Sequence, residues 1–205
     1  LGRWETDNAN LGYGYNTGQY NDLDWYRNYY GMTDEQIREK LSKIRCFLLD
    51  MDGTIYLDET LFDGTPDFLN HVRAMGGKYL FLTNNSSRSV SAYIEKMARL
   101  GIQTTEDDFL TSVDALIVYL RKNGYENKLL YAFGTATFRQ QLSQAGFAIT
   151  DHLQEDIAAL VCGFDTELTF QKLEDACILL NRGVEYIATN PDWVCPTAYG
   201  YVPDC

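Results

Sequence analysis

Asp50 and Asp52 stand two residues apart, directly after the short apolar run Cys46-Phe47-Leu48-Leu49, and are followed by Gly53 and Thr54. A carboxylate at a strand end can serve as nucleophile, metal ligand or both, and a second one two residues on can shuttle a proton. Two adjacent carboxylates repel, and one of them is driven to keep its proton. An oxygen-ligated Mg²⁺ removes that conflict and clamps a phosphoryl group at the same time. Gly53 lets the chain turn sharply away, and the Thr54 hydroxyl can hydrogen-bond the turn. A second polar cluster, Thr83-Asn84-Asn85-Ser86-Ser87-Arg88, follows a second apolar run, Tyr79 to Leu82. There the Thr83 hydroxyl and the free backbone N–H groups of Asn84 and Asn85 are expected to form a small anion cradle. An acid pair beside an anion cradle suggests phosphoryl transfer.

Each cluster alone says little, because Asp-x-Asp-Gly is more often a surface turn and Thr-Asn-Asn an ordinary strand-to-loop junction. Their joint placement carries the reading: each directly follows a buried strand, with a helical crossover between them. Cys46 to Leu49 has the pattern of a strand covered on both faces in a parallel sheet, and such sheets bind ligands outside the carboxyl ends of their strands. The remaining chain supplies the scaffold. Thr33 is expected to cap a short helix with Asp34 and Glu35 in its first turn, Ile55 to Phe62 a small hairpin flap, and Thr65-Pro66 a helix stopped by Gly76-Gly77. Helices are expected around Val90 to Leu100, Ser112 to Leu120 and Leu168 to Leu180, with another ending at Gly146. Strands are expected at Phe109 to Thr111, Leu129 to Phe133, Leu160 to Asp165 and, as the last, Val184 to Ala188. Strand and helix alternate, which argues for the α/β class.

Composition removes several alternatives. With 45% apolar residues over 205 positions the chain can bury a core. A formal charge of −12, with no basic patch against it, argues against nucleic acid and anionic lipid as partners. No apolar run approaches the ~20 residues of a membrane span, so a cytoplasmic location is expected. Five scattered cysteines without a C-x-x-C pair read as buried free thiols. Residues 1–31 carry six tyrosines and two tryptophans but no helical or strand period, and read as a flexible or loosely docked extension. Met32 precedes the first helix and is expected to be the ordinary start.

At Asp50-Met51-Asp52-Gly53-Thr54 and Thr83-Asn84-Asn85-Ser86 the chain resembles the haloacid dehalogenase superfamily, matching its first two signatures. With Gly163-Phe164-Asp165 and Ala188-Thr189-Asn190-Pro191-Asp192 added, it resembles the NagD-like branch of nitrophenyl-phosphatases and nucleotide or pyridoxal phosphatases, over roughly residues 44 to 205. The resemblance implies a Rossmann-like parallel-sheet core with an inserted α/β cap: core over 32–123, cap over 124–200, and a return to the core beginning at 201–205. It implies a Mg²⁺-dependent phosphatase of small phosphate monoesters that works through an aspartyl-phosphate. Asp50 would be nucleophile and metal ligand, and Asp52 general acid/base and metal ligand. Thr83, Asn84, Asn85 and Gly53 would surround the phosphate, and Asp165, Asn190 and Asp192 are the candidates facing substrate from the cap. A small phosphorylated metabolite is the implied partner, and a homodimer through the cap the oligomer the resemblance allows. A non-catalytic binding or regulatory protein, or a phosphotransferase, are the competing readings. The superfamily's phosphate-binding Lys and its acidic metal site have no counterpart in these 205 residues. The chain is therefore expected to be a fragment, inactive by itself, with Cys46–Leu49 left as an open edge that drives association.

Overall fold

The computed structural model describes residues 31–197 and 200–203, so the extension expected over 1–31 lies, apart from Gly31, outside the described residues. The chain divides into two units at Arg45. In the first unit, α1 (Asp34–Ser42) starts as expected. The Thr33 hydroxyl accepts from the Gln36 N–H, and the Gln36 side chain accepts from the Thr33 N–H, which satisfies two donors the helix start would otherwise orphan.

The second unit holds two parallel sheets. The first has the order β1 (Cys46–Asp50), β4 (Lys78–Thr83), β5 (Phe109–Thr111). Between β1 and β4 lie the hairpin β2 (Tyr56–Leu57) and β3 (Thr60–Leu61), then α2 (Thr65–Ala74). α3 (Val90–Arg99) crosses from β4 toward β5. Phe47 pairs with Tyr79, Asp50 with Leu82 and Thr83 with Thr111, a register that sets the carboxyl ends of the three strands side by side.

α4 (Ser112–Lys122) begins where β5 ends, with Thr111 as its N-cap. The second sheet has the order β7 (Ala148–Thr150), β6 (Leu129–Phe133), β8 (Ile157–Cys162), β9 (Glu185–Ala188), connected through α5 (Ala136–Gln144) and α6 (Phe170–Asn181). An antiparallel hairpin, β10 (Val194–Thr197) and β11 (Gly200–Pro203), follows it.

Three apolar clusters hold these layers. Met51, Tyr56, Leu69, Val72, Phe81, Tyr93 and Met97 fill one face of the first sheet. Leu130, Ala132, Ala159 and Val161 meet α4 and α5 on one face of the second, and Tyr131, Phe133, Leu160 and Cys162 meet Leu179 of α6 on the other. Val113, Leu116 and Leu120 place α4 with the second sheet.

Several expectations need correction. β1 is not covered on both faces: among the described residues it pairs only with β4, and Cys46, Leu48 and Asp50 are exposed, Leu48 at 64%. β8 starts at Ile157 and stops at Cys162, so Gly163–Asp165 is loop. β7, β10 and β11 were not foreseen, and β9 is therefore not the last strand. Residues 201–203 lie in β11, paired with β10. Cys162 is buried, but Cys46 and Cys177 are exposed thiols.

Candidate active site

The corner after β1 is built by backbone hydrogen bonds around a fully buried Met51. Its carbonyl accepts from the N–H groups of Ile55 at 2.9 Å and of Thr54 and Tyr56 at 3.3 Å. Gly53 lies at φ 83°, where a side chain would strain the turn, and donates its N–H to the Tyr56 carbonyl at 2.8 Å. The turn leaves both Asp50 and Asp52 at the strand's carboxyl end. The Thr54 hydroxyl donates to an Asp50 carboxylate oxygen at 3.4 Å.

Asp50 keeps an open side, yet the protein around it displaces enough water to lift its carboxyl above the ordinary value. The Met51 N–H and the Thr54 hydroxyl oppose that rise, while the charges of Asp52 and Asp192 add to it. Burial also raises Asp52, opposed by Lys96 and Arg88 and assisted by Asp58. Burial is thus the leading influence on both acids; neighbouring carboxylates add to it at Asp50, whereas neighbouring cations work against it at Asp52.

The second loop lies one strand away. The Thr83 hydroxyl, buried, accepts from the Asn85 N–H at 3.2 Å and lies 3.4 Å from the Tyr93 hydroxyl. The Asn85 N–H, expected to be free for an anion, is therefore turned inward. The Asn85 side chain accepts from the Ser87 N–H and hydroxyl at 3.0 and 2.6 Å and closes the loop on itself. Asn84 points the other way: its amide donates to Asp192 at 3.0 Å, and Asn190 donates to the same oxygen at 3.1 Å. The structure thereby gathers Asp50, Asp52, Asn84, Asn190 and Asp192 at the carboxyl end of the first sheet.

Asp165 is engaged elsewhere. One of its oxygens accepts from the Glu167 N–H at 2.8 Å and the other from Lys172 at 2.7 Å. With the Asp165 side chain only 3% exposed, this pair fixes a turn and the start of α6.

Two contributors were given no role of their own from sequence. Ser86 is fully buried, and its hydroxyl accepts from the Phe164 N–H at 2.7 Å and sits 3.3 Å from the Thr189 hydroxyl. A Cβ on Gly163 would stand 2.6 Å from that hydroxyl and 3.2 Å from the Phe138 ring, which accounts for the glycine. Thr135 donates to the Ser87 carbonyl and Gln141 to that of Arg88. The loop after β4 is thus stitched to the second sheet. Lys96 occupies one position of the apolar stripe Tyr93, Lys96, Met97, Leu100; a lysine at that spacing is its only trace in the sequence.

Among the described residues no three acidic, His or Cys side chains converge on one point. The two oxygen donors Asp50 and Asp52 nevertheless suit Mg²⁺, which characteristically takes one or two carboxylates and completes its shell with water and substrate phosphate.

A sequence profile of haloacid dehalogenase-like hydrolases matches residues 47–148. An acid sugar phosphatase of Staphylococcus aureus is 28% identical over 163 residues, covering 80% of this chain and 62% of its own length. The crystal structure of a 4-nitrophenylphosphatase from Thermotoga maritima superposes with a TM-score of 0.73 at 36% identity, covering 80% of this chain and 61% of that one. A glycerol phosphate phosphatase from Mycobacterium tuberculosis, solved in complex with magnesium, gives 0.72 at 25% identity, covering 79% and 49%. The chain therefore spans about three fifths of the length of the relatives it matches first. No helix among the described residues is long and apolar enough to cross a membrane.

Proposed function

The chain belongs to the haloacid dehalogenase-like hydrolases, in the branch of NagD and the nitrophenylphosphatases, and on that premise we propose that it carries the nucleophilic half of a phosphatase acting on small phosphate monoesters. The observation that supports this most is the register: Asp50 on β1 lies opposite Leu82 on β4, so the acid pair and the Thr83–Asn84 loop open at the same end of one sheet.

An Asp50 oxygen attacks phosphorus, the bond to the ester oxygen breaks, and Asp52 gives its proton to the departing alkoxide. Water then attacks the aspartyl-phosphate, Asp52 takes back a proton, and phosphate leaves with Asp50 restored. The burial that raises Asp52 favours its protonated form, the form needed to protonate a leaving group. The Thr83 hydroxyl and the Asn84 amide would orient the phosphoryl oxygens, and Asn190 and Asp192 would face the alcohol portion. Asp50 and Asp52 would hold Mg²⁺, which when bound offsets their repulsion and neutralises phosphate charge. The relatives act on sugar, nitrophenyl and glycerol phosphates, and a hydroxyl-bearing phosphate ester is the substrate class proposed here.

The test is Mg²⁺-dependent phosphate release from a panel of such esters, run on the 205-residue chain and on any longer product of the same reading frame, each beside its Asp50→Asn variant. Any hydrolysis observed is expected to require Asp50. Phosphatase activity that persists without the Asp50 carboxylate would overturn the assignment, because an amide cannot form the acyl phosphate.

A further inference from the structure

Lysine is almost never fully buried without a partner, yet Lys96 is 5% exposed, and its ammonium makes no hydrogen bond or ion pair among the described residues. What it touches is an aromatic face: Nζ lies 3.6 Å from the centroid of the Tyr56 ring. Tyr56 is itself fully buried, with a hydroxyl that has no hydrogen-bond partner among the described residues. A cation over a ring is held most strongly when both are out of water, as here. Tyr56 is fastened in turn to the acid pair. A ladder bridge joins it to Asp52, and the Gly53 N–H between them donates to its carbonyl.

We propose that Lys96 is a positioning residue for Asp52: its buried ammonium seats the Tyr56 ring, and with it the turn that aims the Asp52 carboxylate, and supplies that carboxylate's counter-charge. What Asp52 then does rests on the phosphatase reading, but the coupling between the two side chains does not.

The charges around them agree with this. Against the burial that raises Asp52, Lys96 is the strongest opposing influence, followed by Arg88. Burial lowers Lys96 in its turn, and Asp52, then Glu59, oppose that fall. Arg99, one turn further along α3, reaches Glu59 in the β2–β3 hairpin at 3.7 Å. Helix α3 thus presents cations to both the acid-bearing turn and the hairpin that follows it.

The proposal separates from a space-filling role by a double-mutant cycle in the 205-residue chain, without metal or substrate, read as the denaturant unfolding equilibrium. In the Lys96→Met background, which keeps the length of the side chain and removes its charge, the half-buried Asp52 loses the stronger of the two cations that oppose its rise. Asp52→Asn is therefore expected to stabilise that background by about tenfold more in the equilibrium constant than it stabilises the unsubstituted chain, as for directly coupled residues. Lys96→Arg, which keeps the charge, is expected to recover most of the loss. Should Lys96→Met not fold, the Lys96→Met/Asp52→Asn double variant is expected to fold. Equal effects of Asp52→Asn in both backgrounds, or a double variant no better folded than Lys96→Met, would overturn the proposal. Because nothing in the cycle depends on turnover, a chain without phosphatase activity leaves this result readable.

Discussion

The two parallel sheets are written in similar sequence and end in different circumstances. Cys46-Phe47-Leu48-Leu49 and Leu129-Leu130-Tyr131-Ala132-Phe133 are both continuous apolar runs. The second becomes β6, paired on both edges and buried from Leu130 to Phe133 between two apolar clusters. The first becomes β1, paired on one edge, with Leu48 at 64% exposure and, two strands along, Leu110 at 45%. An apolar run therefore states what a strand tolerates on its faces. Whether those faces are covered depends on elements elsewhere. The difference also divides the work, since the half-open sheet holds the acid pair and the closed one holds most of the dry core.

That division should show most strongly in rate. Thr83→Ala, at the end of β4, is expected to lower phosphatase turnover by about 10²–10³, the cost of one preorganised donor, while the unfolding midpoint moves little. A change in rate below threefold would show that the Thr83 hydroxyl serves only the Asn85 turn. Stability should show the reverse pattern. Leu130→Ala, fully buried in β6, is expected to cost about 3 kcal/mol in denaturant unfolding, whereas Leu48→Ala is expected to stay within about 0.5 kcal/mol. Similar losses at the two sites would mean that β1 is covered in solution.

An uncovered, one-sided strand is also a template for pairing with other chains. Light scattering of the 205-residue chain is expected to show association that Leu48→Lys reduces at unchanged stability; a monomer before substitution would break the comparison on this point. The smallest effect concerns the edge strand of the second sheet. Tyr125 donates its hydroxyl to Glu185 of β9, and that bond, followed by burial and the carboxylate's charge, pushes its pKa up to about 12, above the ~10 of an unfolded tyrosine. The folded state therefore holds the proton more tightly. This contribution is complete below pH ~10 and is lost as the pH rises through about 12. Tyr125→Phe should flatten that part of the stability profile, and an unchanged slope would refute the link.

What the sequence disclosed depended on how local the cause was. The placement of Asp50, Asp52, Gly53 and Thr83 at strand-to-turn junctions was legible because the type of each junction is set within a few residues. The cap at Thr33 and the hairpin over residues 55–62 were legible for the same reason. Strand β7 was missed because three residues after a glycine turn are too few to show a period, and β10 because Pro196 argues against a strand. Asn85 was expected to have a free N–H, which the Thr83 hydroxyl in fact captures. Asp165 was a candidate for facing substrate, and its engagement by Lys172, seven residues away, was not visible from the chain. Ser86 and Lys96 act across the tertiary structure, Ser86 on Phe164 and Lys96 on Tyr56, and no nearby residue betrays such a contact.

The junction at Thr111 has a mechanical consequence. The residue that ends β5 is also the N-cap of α4: its hydroxyl accepts from the Asp114 N–H, and the Asp114 side chain accepts from the Thr111 N–H at 2.8 Å. The strand belongs to the first sheet, and the helix packs with the second. With no spacer residue to absorb a change of angle, this connection behaves as a welded joint and not as a hinge. The two layers therefore meet at Thr111 without a spacer, and the Asn84–Asp192 hydrogen bond at 3.0 Å fastens them a second time beside the acid pair.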